Sequence, residues 1–480
     1  MKNIVGLAAL VFVVNFITMP ANEYVGDAMA VRVSTINFIN HGQIAVPAEV
    51  AHDAGAPGQY FYENRSGAFY PKYGVLNTFI YLPPLWLEKL LTGNLPSTQH
   101  TLFLNLFNIV LSCGTAGYLA LLARRYTNSI RTVSIFVLAS LYCTFWWNYL
   151  RAQTFEIYLT LFLLAFCCHF LSAREHERGT LRNLHLLTAA ICLSLLCLCK
   201  TVYIILLPVV AVFIVTGPTV RGGKFVGSLL FFWVPLAIFI CVLFGSNWYR
   251  FGSPFELGYT QWSQEARPFT ANLWPGLSGF LFGKQGNLFL HFPVLIFALM
   301  GWPRFFKKHK PDAALIITLG AIVLMVSSSF TNWKGESCYG PRYLLPVLPL
   351  VSLPFLSFGE WLDASSAKLL QWIAQLAVAA VLSYACLLQI AVNSLPFFFW
   401  YDLAAVIDNE PEGRPARYLC SHQFGSINID FIRYAKGKPS QFQRDFVPNL
   451  DPTQFLRLEV LEAETALNYF WYRRPVEALQ

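Results

Sequence analysis

The chain is a succession of apolar runs, each about 20 residues long and closed by a short polar joint. Such a run crosses the roughly 30 Å hydrocarbon core of a bilayer as a helix. Lipid offers the backbone no hydrogen-bonding partner, so a spanning segment must be helical or part of a closed barrel. Barrel strands alternate apolar and polar residues. These runs are continuous and rich in Leu, Ile, Val and Phe, so they predict helices. Of 480 residues, 56% are hydrophobic and 12% charged, where a soluble domain carries about 25% charged residues. The expected architecture is an all-α polytopic membrane protein with about eleven transmembrane helices. They are placed at 4–20, 102–122, 132–150, 154–172, 183–199, 202–216, 225–245, 287–303, 312–330, 344–360 and 369–395. A further stretch, 74–92, holds Pro83, Pro84, Glu88 and Lys89 and is expected to lie in the interface or dip without crossing.

The joints assign the sides. With the N-terminus in the cytoplasm, Arg124, Arg125, Arg131, Arg174, Arg178, Arg182, Arg221, Lys224, Arg304, Lys307, Lys308, Lys310 and Lys368 all fall inside, as the positive-inside bias requires. If 74–92 crossed, every later joint would change side. The net charge of +8 is therefore read as topology, and no nucleic-acid partner is expected. The domain organisation is a transmembrane domain over 1–395, whose first external loop (21–101) contains juxtamembrane helices, and an external tail or small domain over 396–480. The other external segments are 151–153, 246–286 and 331–343. The run Ile4 to Met19 lacks a small-x-small cleavage site and is expected to stay as the first span. No zinc spacing, P-loop or dinucleotide fingerprint occurs, and no cofactor is expected. Nine of the 11 cysteines sit in apolar stretches or at their ends; Cys338 and Cys420 are left, and could pair in an oxidising compartment.

The external segments carry the residues capable of chemistry. Asp27 lies just past the first span. A partly desolvated carboxylate there suits a general base, because burial raises its pKa toward the working range; an interfacial acid or helix N-cap is the plainer reading. Lys72 stands between Tyr70 and Tyr73, as a point charge for a phosphate or as an interfacial anchor. Glu156 opens the fourth span, where it either pairs with Arg151 or serves function. Arg250 and Glu256 belong to an aromatic turn, 247–259. Trp333, Tyr339 and Arg342 share the last loop. Arg342 there can clamp a phosphate with two parallel hydrogen bonds or snorkel to the headgroups. Each signal is weak alone. All fall on one side of the membrane, while the midplanes hold almost no charge. A transporter would more often place ionisable residues or broken helices at the midplane.

Four motifs occur in a characteristic order: Gly26-Asp27; Tyr70-Pro71-Lys72-Tyr73-Gly74 leading to Leu82-Pro83; Arg250-Phe251-Gly252-Ser253-Pro254-Phe255-Glu256-Leu257-Gly258-Tyr259; and Tyr339-Gly340-Pro341-Arg342-Tyr343-Leu344-Leu345-Pro346. In these the chain, from about residue 1 to 360, resembles the polyprenyl-phosphate-sugar-dependent membrane glycosyltransferases of the GT-C fold, which include protein O-mannosyltransferases and the lipid A aminoarabinose transferase. The resemblance implies an enzyme that moves a hexosyl or pentosyl group from a polyprenyl-phosphate donor to a hydroxyl of an envelope glycan, lipid or protein, with inversion, at the outer face of a bacterial inner membrane. It implies Asp27 as the base, Lys72 and Arg342 on the donor phosphate, and Tyr73, Glu156, Arg250, Glu256, Trp333 and Tyr339 as groups that orient sugar or lipid. Many relatives have a second acid directly after the first; here Ala28 stands there, which weakens the case for a metal, and none is expected to be essential. The competing readings are a flippase or transporter of lipid-linked sugars, and a glycan polymerase or ligase of another fold.

Overall fold

The computed structural model describes residues 2–19, 26–53, 60–93, 102–151, 154–175, 179–216, 225–261, 269, 271–283, 286–333, 339–364 and 366–394, with short pieces between 430 and 444. The pair Cys338 and Cys420, and nearly all of the expected tail, lie outside the described residues.

The structure is helical where the apolar runs predicted it. Helix α1 (Lys2–Ile17) is the first run, and α2 (Gly26–His41) and α3 (Ala48–Asp53) open the first loop. A two-stranded hairpin, β1 (Phe61–Glu63) and β2 (Phe69–Pro71), pairs antiparallel with Tyr62 opposite Tyr70. Helix α4 (Leu76–Thr92) is the doubtful 74–92 stretch. Then follow α5 (Leu102–Arg124), α6 (Ile130–Tyr142), the short α7 (Trp146–Arg151), α8 (Glu156–Glu175), α9 (Thr180–Cys199), a 3-10 segment (Thr201–Leu206) running into α10 (Leu207–Thr216), and α11 (Phe225–Phe251). The C-terminal half contains α12 (Leu273–Phe282), α13 (Leu288–His291), α14 (Val294–Lys308), α15 (Lys310–Ser328), a 3-10 turn (Arg342–Leu344), α16 (Leu348–Val351), α17 (Phe355–Asp363) and α18 (Lys368–Val392).

Six of the described helices are long and apolar enough to cross a membrane: α5, α8, α9, α11 from Leu230, α15 and α18. Other expected crossings are shorter or broken. The 132–150 run divides into α6 and α7 at Cys143-Thr144-Phe145, and Pro346, Pro349 and Pro354 divide 344–360 into short pieces, because proline cannot donate to the preceding turn. Helix α12 was not anticipated. Helix α4 is not among the six. Its inner face buries Thr78, Tyr81, Leu85 and Glu88 and packs chiefly on α2, where the buried Arg32 faces Glu88; the buried Asn77 instead donates to Cys199 O and accepts from the Tyr158 hydroxyl. Its other face leaves Phe79, Trp86, Leu87, Leu90 and Leu91 exposed.

Helix α8 packs between α5 and α9, α9 against α11, α1 against α5, and α14 against α17. Trp146, Tyr149, Tyr158, Phe166 and Phe170 are fully buried in this core. Three of the basic joints meet at one end. Arg125 pairs with Glu175 at 3.0 Å and with Asp312 at 3.6 Å, and the Tyr126 hydroxyl donates to Asp312 at 3.1 Å. Lys308 joins Glu360 beside them at 3.0 Å.

Candidate active site

Away from those basic joints, α2, the β2–α4 connection, the start of α8, the end of α9, the 257–259 turn, α15 and the Arg342 turn enclose one cavity of about 1200 Å³, part of it open to solvent. Its polar wall carries Asp27, Lys72, Tyr73, Glu156, Lys200, Tyr259 and Arg342, and Val202, Ile205, Val323 and Val326 form an apolar wall.

Asp27 sits in the first turn of α2. The Tyr73 hydroxyl donates to its Oδ1 at 2.5 Å, and Arg342 Nη1 lies 3.3 Å from Oδ2. The two charged side chains are only 24% and 12% exposed, so water screens them little. Burial pushes the Asp27 carboxyl upward, but Arg342, Lys72, the Tyr73 hydrogen bond and Lys200 together outweigh it and hold it below its ordinary value. This corrects the expectation of a raised pKa: desolvation is present, but cations gathered from distant parts of the chain dominate it. Burial first, and then the Asp27 charge, push the Tyr73 phenol well above its ordinary value, so Tyr73 remains a proton donor to the carboxylate.

Lys72 follows β2, and its backbone N–H donates to Tyr60 O at 3.1 Å. Its side chain is 6% exposed, with Nζ 6.0, 5.5 and 5.5 Å from the ring centres of Tyr60, Tyr73 and Tyr259. This aromatic cage stabilises the cation without neutralising it. The turn after α11 holds it there. Arg250 Nη1 donates to Pro71 O at 3.2 Å and Tyr73 O at 2.6 Å, and Nη2 to Asn247 Oδ1 at 3.0 Å. Gly258, at φ +80°, lies so close to Lys72 that a Cβ would stand 2.6 Å from its carbonyl oxygen. Glu256 fixes the turn by accepting from Gly258 N and the Thr260 hydroxyl, each at 2.8 Å.

The expected residues therefore separate. Asp27, Lys72, Tyr73, Glu156 and Arg342 line the cavity. Arg250, Glu256, Trp333 and Tyr339 are not among the residues that line it. Trp333 packs on Phe280, with ring centres 5.5 Å apart, and Tyr339 is buried. Arg151 donates to Thr18 O at 2.7 Å and Asn393 O at 2.5 Å. Tyr259, an aromatic of the 247–259 turn, lines the cavity, and so do Lys200, Tyr60 and Tyr343, which were not singled out from the sequence. Lys200 Nζ stands 4.6 Å from the Tyr343 ring centre and Arg342 Cζ 5.0 Å from it, so one phenol ring carries two cations. The signal for Lys200 was available: a single lysine between two apolar runs, on a joint that the alternation of sides places with Asp27.

The chain shares its fold with two solved membrane enzymes, an archaeal oligosaccharyltransferase and ArnT. It superposes on the oligosaccharyltransferase AglB of Archaeoglobus fulgidus, in complex with an inhibitory peptide and a dolichol-phosphate, with a TM-score of 0.55 at 14% identity, over 86% of this chain and 58% of that one. The apo form of the Archaeoglobus fulgidus enzyme gives 0.56 at 13% identity, with the same coverage of 86% and 58%. ArnT of Cupriavidus metallidurans in the apo state gives 0.51 at 16% identity, over 96% of this chain and 76% of that one. The chain thus spans little more than half of the oligosaccharyltransferase and about three quarters of ArnT. No protein-family model and no curated protein sequence matches it.

Proposed function

We propose that the chain transfers a sugar from a polyprenyl-phosphate donor to a hydroxyl acceptor, with Asp27 as general base and inversion at the anomeric carbon. The observation that carries this reading is the Asp27–Arg342 pair at 3.3 Å, set in a cavity that Lys72 and Lys200 also line. Transfer of lipid-linked sugars needs a base for the acceptor proton and cations for the leaving phosphate. It needs the two close together, as they are here.

In the proposed step the acceptor oxygen gives its proton to Asp27 and bonds to the anomeric carbon. The bond from that carbon to the phosphate oxygen breaks, and the electron pair leaves on the polyprenyl phosphate. Arg342, Lys72 and Lys200 take up the charge that develops there. A phosphate arriving beside Arg342 also competes with Asp27 for it. Part of the depression of the Asp27 pKa is then relieved, and the carboxylate becomes a stronger base when donor is bound. Glu156 is proposed to accept hydrogen bonds from the sugar hydroxyls. The Val202, Ile205, Val323 and Val326 wall suits the first isoprene units. The acceptor is an envelope glycan, a lipid or a protein, and the site faces outward from a bacterial inner membrane.

The test is incubation of purified protein with a panel of polyprenyl-phosphate pentoses and hexoses, following release of polyprenyl phosphate. Release from at least one donor, with the product in the opposite anomeric configuration, is expected. Inertness toward the whole panel in the presence of membrane-extracted acceptors contradicts the reading.

A further inference from the structure

Among the described residues, helix α18 leaves much of its surface exposed and meets the body along one face. Leu369, Trp372, Leu376 and Leu387 are 75%, 66%, 60% and 65% exposed, while Gln389 and Val392 are 1% and 4% exposed. The inward residues Cys386, Gln389 and Asn393 recur at intervals of three and four, so they share one face. Each meets a polar group of the core. Cys386 lies beside Cys143 at the end of α6. Gln389 Nε2 donates to the Tyr339 hydroxyl at 2.9 Å. Asn393 accepts from Asn148 Nδ2 at 3.2 Å, and its carbonyl accepts from Arg151 Nη1 at 2.5 Å.

The middle contact leads to the cavity. Tyr339 is held at both ends: its carbonyl accepts from the Tyr149 hydroxyl at 2.8 Å, and its own hydroxyl accepts from Gln389. Its ring stands edge-on to His291, with centres 5.3 Å apart. Gly340 follows at φ +68°, so close to Phe145 that a Cβ would lie 2.8 Å from that ring. Arg342 N then donates to Gly340 O at 2.9 Å. The backbone from Tyr339 to Arg342 has few alternative paths, and one of its fixed points belongs to α18. Gln389 Oε1 has no partner among the described residues. A buried amide left half satisfied costs about 1–3 kcal/mol, so simple packing does not explain a glutamine at that position.

We propose that Gln389 is a positioning residue for the donor phosphate: through Tyr339 it sets where the Arg342 guanidinium stands, and α18 is a strut for that loop. This rests on the proposal that Arg342 binds the donor phosphate, and the experiment separates the two. Undecaprenyl phosphate and undecaprenol binding to the purified full chain are measured by native mass spectrometry for wild type, Arg342→Ala, Gln389→Leu, Tyr339→Phe and the Gln389→Leu/Tyr339→Phe double variant. Arg342→Ala is expected to weaken undecaprenyl phosphate at least ten-fold. Gln389→Leu and Tyr339→Phe each weaken it about five-fold, the double variant no further than either alone, and undecaprenol binding is unchanged throughout. Equal losses for phosphate and alcohol in the Gln389 and Tyr339 variants indicate only general loosening and overturn the inference. So does wild-type phosphate binding in Tyr339→Phe, which keeps the ring packing should Gln389→Leu fail to fold. Wild-type binding in Arg342→Ala refutes the underlying reading instead.

Discussion

Replacing Arg342 by Ala removes a guanidinium that lies 3.3 Å from the Asp27 carboxylate with only 12% of its side chain exposed. Two consequences follow, and they run in opposite directions in pH and in rate. A charge-assisted hydrogen bond contributes about 1.5–3 kcal/mol, so loss of one such bond to a phosphate weakens carrier binding roughly ten- to a hundred-fold. Loss of a preorganised donor at a developing oxyanion costs turnover about a hundred- to a thousand-fold. The same change leaves Asp27 facing its burial, which raises its pKa, with only Lys72, Tyr73 and Lys200 opposing. Its pKa then rises. Activity that depends on ionised Asp27 is present above that pKa and lost as pH falls through it. In the wild type this acid limb lies below the ordinary carboxylate range. In Arg342→Ala it moves upward, so the variant loses its residual activity at a higher pH than the wild type. The assay is release of polyprenyl phosphate between pH 3 and 8 (order-of-magnitude bounds around the carboxylate range), with carrier binding measured in parallel. An acid limb that stays in place while turnover falls would refute the electrostatic coupling of Arg342 to Asp27. Arg342→Lys keeps the charge but loses the fork; it is expected to restore the limb and little of the rate.

Lys200→Ala is expected to weaken polyprenyl phosphate binding about three- to ten-fold, and the dependence of binding on ionic strength should flatten with it. Arg250→Ala orphans the buried carbonyls of Pro71 and Tyr73 and lowers stability by roughly 1–3 kcal/mol, read as an earlier unfolding midpoint in detergent. Gly258→Ala forces a Cβ against the Lys72 backbone at positive φ; a strained residue there costs about 1–3 kcal/mol, and carrier binding falls even where the protein still folds.

The parts of the fold that follow from periodicity were readable before the structure. The long helices α5, α8, α9, α11, α15 and α18 match apolar runs to within a few residues. What broke the remaining runs was local: prolines in 344–360, and a break between α6 and α7 where the backbone turns. The polar motifs were readable as residue types and not as roles. Arg250 and Glu256 looked like substrate groups because they stand beside aromatic residues at a membrane boundary. In the structure Arg250 donates to the Pro71 and Tyr73 carbonyls and Glu256 accepts from Gly258 N and the Thr260 hydroxyl, and no spacing within 247–259 reveals which remote carbonyl a guanidinium will reach. Tyr339 is buried, and its hydrogen bonds run to Tyr149 and Gln389, which lie 190 and 50 residues away in sequence. The sign of the Asp27 shift was not readable either. It depends on four groups that lie as much as 315 residues from Asp27 in sequence, and only folding sets them against the burial of one carboxylate.

The central claim is that Asp27 takes the acceptor proton while the cations hold the phosphate. It is tested most directly by Asp27→Asn, measured at once for sugar transfer and for polyprenyl phosphate binding. The substitution keeps the shape and one acceptor for Tyr73 but removes the base. Transfer is expected to fall by a factor on the order of a hundred to ten thousand, as loss of a general base does, while carrier binding stays the same or tightens because Arg342 loses its competing carboxylate. Near-normal transfer by Asp27→Asn would contradict the account.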